Sequence, residues 1–174
     1  MQRSVYRVFG DESHDENWQS VFALAALFGA DEDWYQIRDQ WTSRIDGRVF
    51  HAADCERDSG DFAATSHPAN LKLYADLTKL IASSRLVAFG SAMSLEHYDS
   101  FFPATNRNNA YYLCFRNVVI HFAKLARVVI PQGTVHFTFE RKGEVEGHAK
   151  NLYNFVANMP GSDLHRAKRP RHTG

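Results

Sequence analysis

The segment from Asn108 to Val129 sets the strongest constraint on how this chain can fold. Tyr111, Phe115, Val118, Val119, Phe122, Leu125 and Ala126 recur three and four residues apart and merge into one wide apolar face. A long helix with such a face must be covered along its length, so it belongs at the centre of a domain. Candidates for the cover are strands. Ser4 to Phe9 is β-branched and aromatic and stops at Gly10, and Arg85 to Met93 reads as a buried strand. Thr134 to Phe139 alternates, with Val135, Phe137 and Phe139 on one side. Val21 to Phe28 is an apolar run in which periodicity cannot separate strand from helix. Its position after a short polar turn, Gly10 to Asn17, suggests an antiparallel partner for the first strand.

Further helices are expected around these strands. Trp34, Ile37, Trp41 and Ile45 mark one over Asp31 to Ile45. Pro68 opens another, with Leu71, Tyr74, Leu77, Leu80 and Ile81 on one face. Glu96 to Phe102 is short and ends at Pro103, and Val145, Ala149, Leu152 and Val156 give a last helix broken at Pro160-Gly161. Arg48 to Asp54 reads as extended and Glu56 to Ser66 as a loop, while Pro131 to Gly133 reads as a turn. Strands interleaved with helices predict an α/β domain of two or three layers. Residues 1–160 are read as one domain and 161–174 as a basic, flexible tail.

Composition limits the function classes. A chain of 174 residues, 44% hydrophobic and 13% aromatic, holds a real core and is not disordered. With 20 basic and 20 acidic residues the formal net charge is zero, so any pull toward nucleic acid is local. Arg166, Lys168, Arg169 and Arg171 are one such place, serving equally as phosphate contacts or as a solubilising end. Cys55 and Cys114 are too few for a zinc cluster or a disulfide framework, and read as buried thiols in a reducing compartment. Polar residues interrupt positions 1–18, which fits no signal peptide. The apolar run Val21 to Ala30 is too short to span a bilayer, so a cytoplasmic protein without membrane association is expected. The sequence has no Gly-rich phosphate loop, no G-x-S-x-G and no H-E-x-x-H.

Three places remain where chemistry could reside. Asp11 and Glu12 follow the first strand directly, where a sheet would hold a carboxylate rigidly yet in reach of solvent, as a Mg²⁺ ligand requires. The same residues serve as turn formers bonding their own backbone. Glu140 leaves the strand 134–139 as Asp11 leaves the first. It suits a shared metal site or a solvated pairing with Arg141 or Lys142. His51 and Asp54 stand three apart, facing one pocket or acting as a helix cap beside a half-buried His.

Phe9-Gly-Asp11-Glu12-Ser13 followed by an apolar second strand, Phe50-His51-Ala-Ala-Asp54, and Val135-His-Phe-Thr-Phe-Glu140 stand in an order that resembles the DUF3800 family, over roughly residues 4–156. The resemblance implies a ribonuclease H-like mixed sheet flanked by helices. It implies Mg²⁺ or Mn²⁺ bound by Asp11 and Glu140 with Asp54, with Glu12 as a weaker catalytic candidate and His51 lining the cleft as proton carrier. The implied activity is that of a metal-dependent nuclease, a phosphodiesterase of nucleic acid, in a phage-related or defence setting. His14 stands where the family has Gly, and Glu140 where it has Asp. The family's later Gln-x-Ala-Asp segment has no counterpart before Gly174, so the alternative expectation is a truncated, non-cleaving member that binds nucleic acid or protein. A homodimer covering an exposed sheet edge is a further expectation.

Overall fold

The computed structural model describes residues 5–14, 20–102, 108–130, 134–139 and 154. Two compact units make up the chain, one of Met1–Gly29 with Val87–Gly174 and the other of Ala30–Leu86.

The first unit is built on a four-stranded mixed sheet of order β3-β2-β1-β4, from β1 (Val5–His14), β2 (Val21–Ala30), β3 (Val87–Ser94) and β4 (Thr134–Phe139). β1 and β4 run parallel, with Val5 opposite Thr134 and Gly10 opposite Phe139. β2 and β3 run antiparallel, with Val21 opposite Ser94 and Phe28 opposite Val87. The run that periodicity left open is a strand: Phe22, Leu24, Ala26 and Phe28 are buried on alternate positions.

That buried face receives the long helix (Asn108–Val129), which follows the short helix Leu95–Phe101 in this unit. Ala110, Tyr111, Cys114, Phe115, Val118, Val119, Phe122 and Ala126 form one core with Val8, the buried β2 residues, Val135 and Phe137. Phe122 stacks on Phe28 at 5.7 Å, and Phe115 meets Phe139 at 4.8 Å. Each fully buried Phe contributes roughly 1.5–3 kcal/mol from its removal from water. The central position expected for this helix holds.

Two expectations change here. β1 does not stop at Phe9 but runs through Gly10, Asp11 and Glu12 to His14, so the start of the expected polar turn is strand. β1 stands between β2 and β4 in the sheet, and its described pairs with β4 run from Val5 to Gly10, just short of these polar residues. β3 is not buried. It stands at one end of the sheet among the described residues, with Val87, Ala88, Gly90 and Ala92 exposed and only Phe89 and Met93 packed on the core.

The second unit is helical: α1 (Asp31–Ile45), α2 (Ala52–Arg57), a 3-10 turn at Gly60–Phe62 and α3 (His67–Ala82). Asp31, Glu32 and Asp33 in the first turn of α1 and Arg44 in the last complement its dipole. Ile37, Cys55, Phe62, Leu77 and Leu80 are buried. Phe50 meets Trp41 at 5.3 Å and Phe62 at 5.9 Å, and the Arg48 guanidinium lies 5.0 Å over Phe62. The segment expected to be extended from Arg48 to Asp54 is so only as far as His51. There its carbonyl accepts the Cys55 N–H at 3.0 Å and starts α2. The expected loop Glu56 to Ser66 thus contains the end of α2 and the 3-10 turn.

Both cysteines are buried free thiols, and burial pushes each up from its ordinary value. Among the described residues no helix is long and apolar enough to cross a membrane. Glu140, the turn at Pro131 to Gly133, the expected helix carrying Val145 to Val156 and the tail 161–174 lie outside the described residues.

Candidate functional site

Asp11 and Glu12 belong to the first unit. Strand alternation separates them. Glu12 shares the side of Tyr6 and Val8, which faces the long helix, and is half-buried. Its charge acts on Tyr111, whose hydroxyl is pushed up to about 12, first by burial, then by Glu12 and Tyr112. Asp11 takes the other side with Arg7 and Phe9, is exposed, and its Oδ1 accepts the Glu12 N–H at 2.9 Å. On β4 the register sets His136 beside Arg7 and Thr138 beside Phe9.

Gly10, just before Asp11, is required by close approach. A Cβ there would collide with the Phe139 ring and lie 2.9 Å from Ala26 Cβ. The ring of Phe139 therefore occupies the space above Gly10 and closes β4 onto β1 at that point.

His51 and Asp54 belong to the second unit. His51 is extended (φ −120, ψ 120) immediately before α2, and its Nδ1 lies 3.1 Å from Asp54 Oδ2. The other oxygen, Oδ1, accepts the Ser59 hydroxyl at 2.8 Å, while the Ser59 N–H donates to the Asp54 carbonyl at 2.9 Å. The chain turns back to allow this through Asp58, which is left-handed (φ 55), and Gly60 (φ 52), where a Cβ would lie 3.1 Å from Asp54 Oδ2.

Sequence reasoning missed a second polar cluster in this unit. Asn70, fully buried on α3, donates through Nδ2 to Asp58 Oδ1 at 2.8 Å and to the Phe62 carbonyl at 3.0 Å. His67 Nδ1 lies 2.9 Å from Asp58 Oδ2, and the Cys55 thiol donates to the Asn70 carbonyl at 3.2 Å. Asp58 is held below the usual carboxylate range, first by Asn70 and then, against some desolvation, by His67. The one sequence signal was an Asn on the helix opened by Pro68.

The structure thus brings His51 and Asp54 together, sends Asp11 and Glu12 to opposite faces, and describes the pair Asp11–Glu12 and the pair His51–Asp54 in separate units. Among the described residues no three His, Cys, Asp or Glu side chains form a group that could hold a metal ion. The sequence matches no protein-family model and no curated protein.

Proposed function

We propose that the protein is a divalent-metal-dependent phosphodiesterase acting on nucleic acid. Its fold is read as ribonuclease H-like, as the resemblance to the DUF3800 family implies. Asp11 and Glu140 are its metal ligands and Mg²⁺ or Mn²⁺ its cation. The mixed sheet with a long helix on one face is the architecture this reading needs.

The parallel register of β1 and β4 carries the reading. Gly10 stands opposite Phe139, and Asp11 and Glu140 follow these two residues in sequence. Asp11 suits the ligand role because it is exposed, and a Mg²⁺ ion that keeps several of its waters needs only one or two carboxylates. Such an ion would activate a water and offset charge on the phosphate. Glu12, on the sheet face that meets the long helix, is not part of the proposed ligand pair.

The test is cleavage of single- and double-stranded RNA and DNA with Mg²⁺ or Mn²⁺. Cleavage that needs the metal and is lost in Asp11→Asn is expected. Metal-dependent cleavage that survives Asp11→Asn contradicts the assignment, and absence of cleavage by the unaltered chain favours a nucleic-acid- or protein-binding role.

A further inference from the structure

β3 pairs with β2 along its whole length, Val87 to Ser94, in an antiparallel register that advances one residue at a time without a bulge. Its other side has no paired strand among the described residues. The direction of its main-chain groups follows from one hydrogen bond just past the strand, where the Leu95 N–H donates to the Ser20 carbonyl at 2.8 Å. Ser20 and Leu95 extend the β2–β3 register by one step, and antiparallel pairs alternate between bonded and non-bonded. Met93, Ser91, Phe89 and Val87 therefore turn their N–H and C=O toward β2. Ser94, Ala92, Gly90 and Ala88 turn theirs outward, and the last three are exposed.

An outward row of donors and acceptors is a template for another strand, and sheet edges are guarded against this by a charge, a proline, a bulge or shortness. β3 has eight residues and none of these guards: Val-Ala-Phe-Gly-Ser-Ala-Met-Ser is uncharged. Gly90 points the same way. Glycine in a strand costs roughly 0.5–1 kcal/mol relative to alanine. Packing inside the unit does not ask for it, because a Cβ there meets Ala25 at an ordinary 3.6 Å. Glycine in a strand interior suits the close approach of a second backbone. The flanks say which one. In sequence Arg85 precedes β3 and Glu96 follows it, so two copies of this chain paired antiparallel set opposite charges at each end of the seam, where parallel pairing sets like charges.

We propose that β3 pairs antiparallel with β3 of a second copy, joining the two four-stranded sheets into one across a two-fold axis. The N–H and C=O groups of Ala88, Gly90 and Ala92 form the seam. An axis normal to the sheet leaves both long helices on one face and both Asp11 residues on the other. The seam does not depend on the phosphodiesterase reading.

The test uses the full chain and Ala92→Lys, which places on the seam the charge that guards other edges. Sedimentation equilibrium from micromolar to millimolar protein should show the mass rising from one chain to two, with association weakened roughly tenfold or more in Ala92→Lys. Amide hydrogen exchange read by NMR locates the seam. The amides of Phe89, Ser91 and Met93, bonded to β2, should exchange slowly at every concentration in both proteins, which also shows that the variant keeps its sheet. Those of Ala88 and Gly90 should slow as the unaltered chain associates and stay fast in Ala92→Lys. A single-chain mass throughout overturns the proposal and leaves the edge to a strand of another protein. A dimer that Ala92→Lys does not weaken, or that forms while the Ala88 and Gly90 amides stay fast, has its seam elsewhere and overturns it as well.

Discussion

Asp11 and Glu12, adjacent in β1, serve opposite faces of one sheet: Asp11 is exposed on the side of Arg7 and Phe9, and Glu12 is half-buried on the side of the long helix, where its charge acts on Tyr111. A turn would have let both carboxylates converge. The strand gives them different neighbours and different chemistry.

Tyr111 reports on that separation. Its hydroxyl is raised to about 12 from an ordinary 10.0, chiefly by burial and secondly by Glu12. Glu12→Gln removes the second cause, so the Tyr111 midpoint should fall below about 12 yet stay above 10.0. Titration of ¹³Cζ-labelled tyrosine, with Tyr111→Phe for assignment, measures it. The linked stability has a defined sign. A group with a raised folded value contributes fully below pH 10.0, and the contribution is lost as pH rises through about 12. Glu12→Gln should move the end of that loss to lower pH.

Gly10→Ala tests the closure of β4 onto β1. Alanine in a strand gains about 0.5–1 kcal/mol from a stiffer unfolded chain. Against this, the new Cβ meets the Phe139 ring, which can rotate, and Ala26 on β2, which moves only with its strand. Overpacking of this kind costs about 1–3 kcal/mol, so a net loss of about 1–2 kcal/mol is expected in urea denaturation. Mn²⁺ affinity should weaken with it, because Asp11 is the next residue.

Asp58 makes the second unit sensitive to acid. Its carboxyl is held below its ordinary 3.8 by the Asn70 amide first and by His67 thereafter. A lowered folded value contributes stability above pH 3.8, and that stability is lost as pH falls through the folded value. Urea midpoints measured from about pH 6 down to about pH 2 should fall more steeply for the unaltered chain than for Asp58→Asn, since Asn also tolerates the left-handed conformation. Parallel slopes would remove Asp58 from the account.

Much of the fold was legible because it follows from local periodicity. The apolar stripe of Asn108–Val129 announced a central helix, and the alternation of 134–139 announced β4. The extent of β1 was hidden, because Asp11, Glu12, Ser13 and His14 have turn composition, yet the strand continues through them past its last described pair with β4, Gly10 with Phe139. The links from Asn70 to Asp58 and from Asp54 to Ser59 were hidden for a related reason. They depend on left-handed residues at Asp58 and Gly60 that fold a polar stretch back on itself, and composition alone reads such a stretch as a loop. Of the candidate site, the residue types were legible and their directions were not.

The most direct measurement is calorimetric titration of Mn²⁺ into the full chain and into Asp11→Asn, Glu12→Gln and Glu140→Gln. The account predicts binding by the unaltered protein and by Glu12→Gln, and its loss in Asp11→Asn and Glu140→Gln. Binding that survives Asp11→Asn, or that is lost in Glu12→Gln while the fold is retained, would contradict a metal site on the Asp11 face of the sheet.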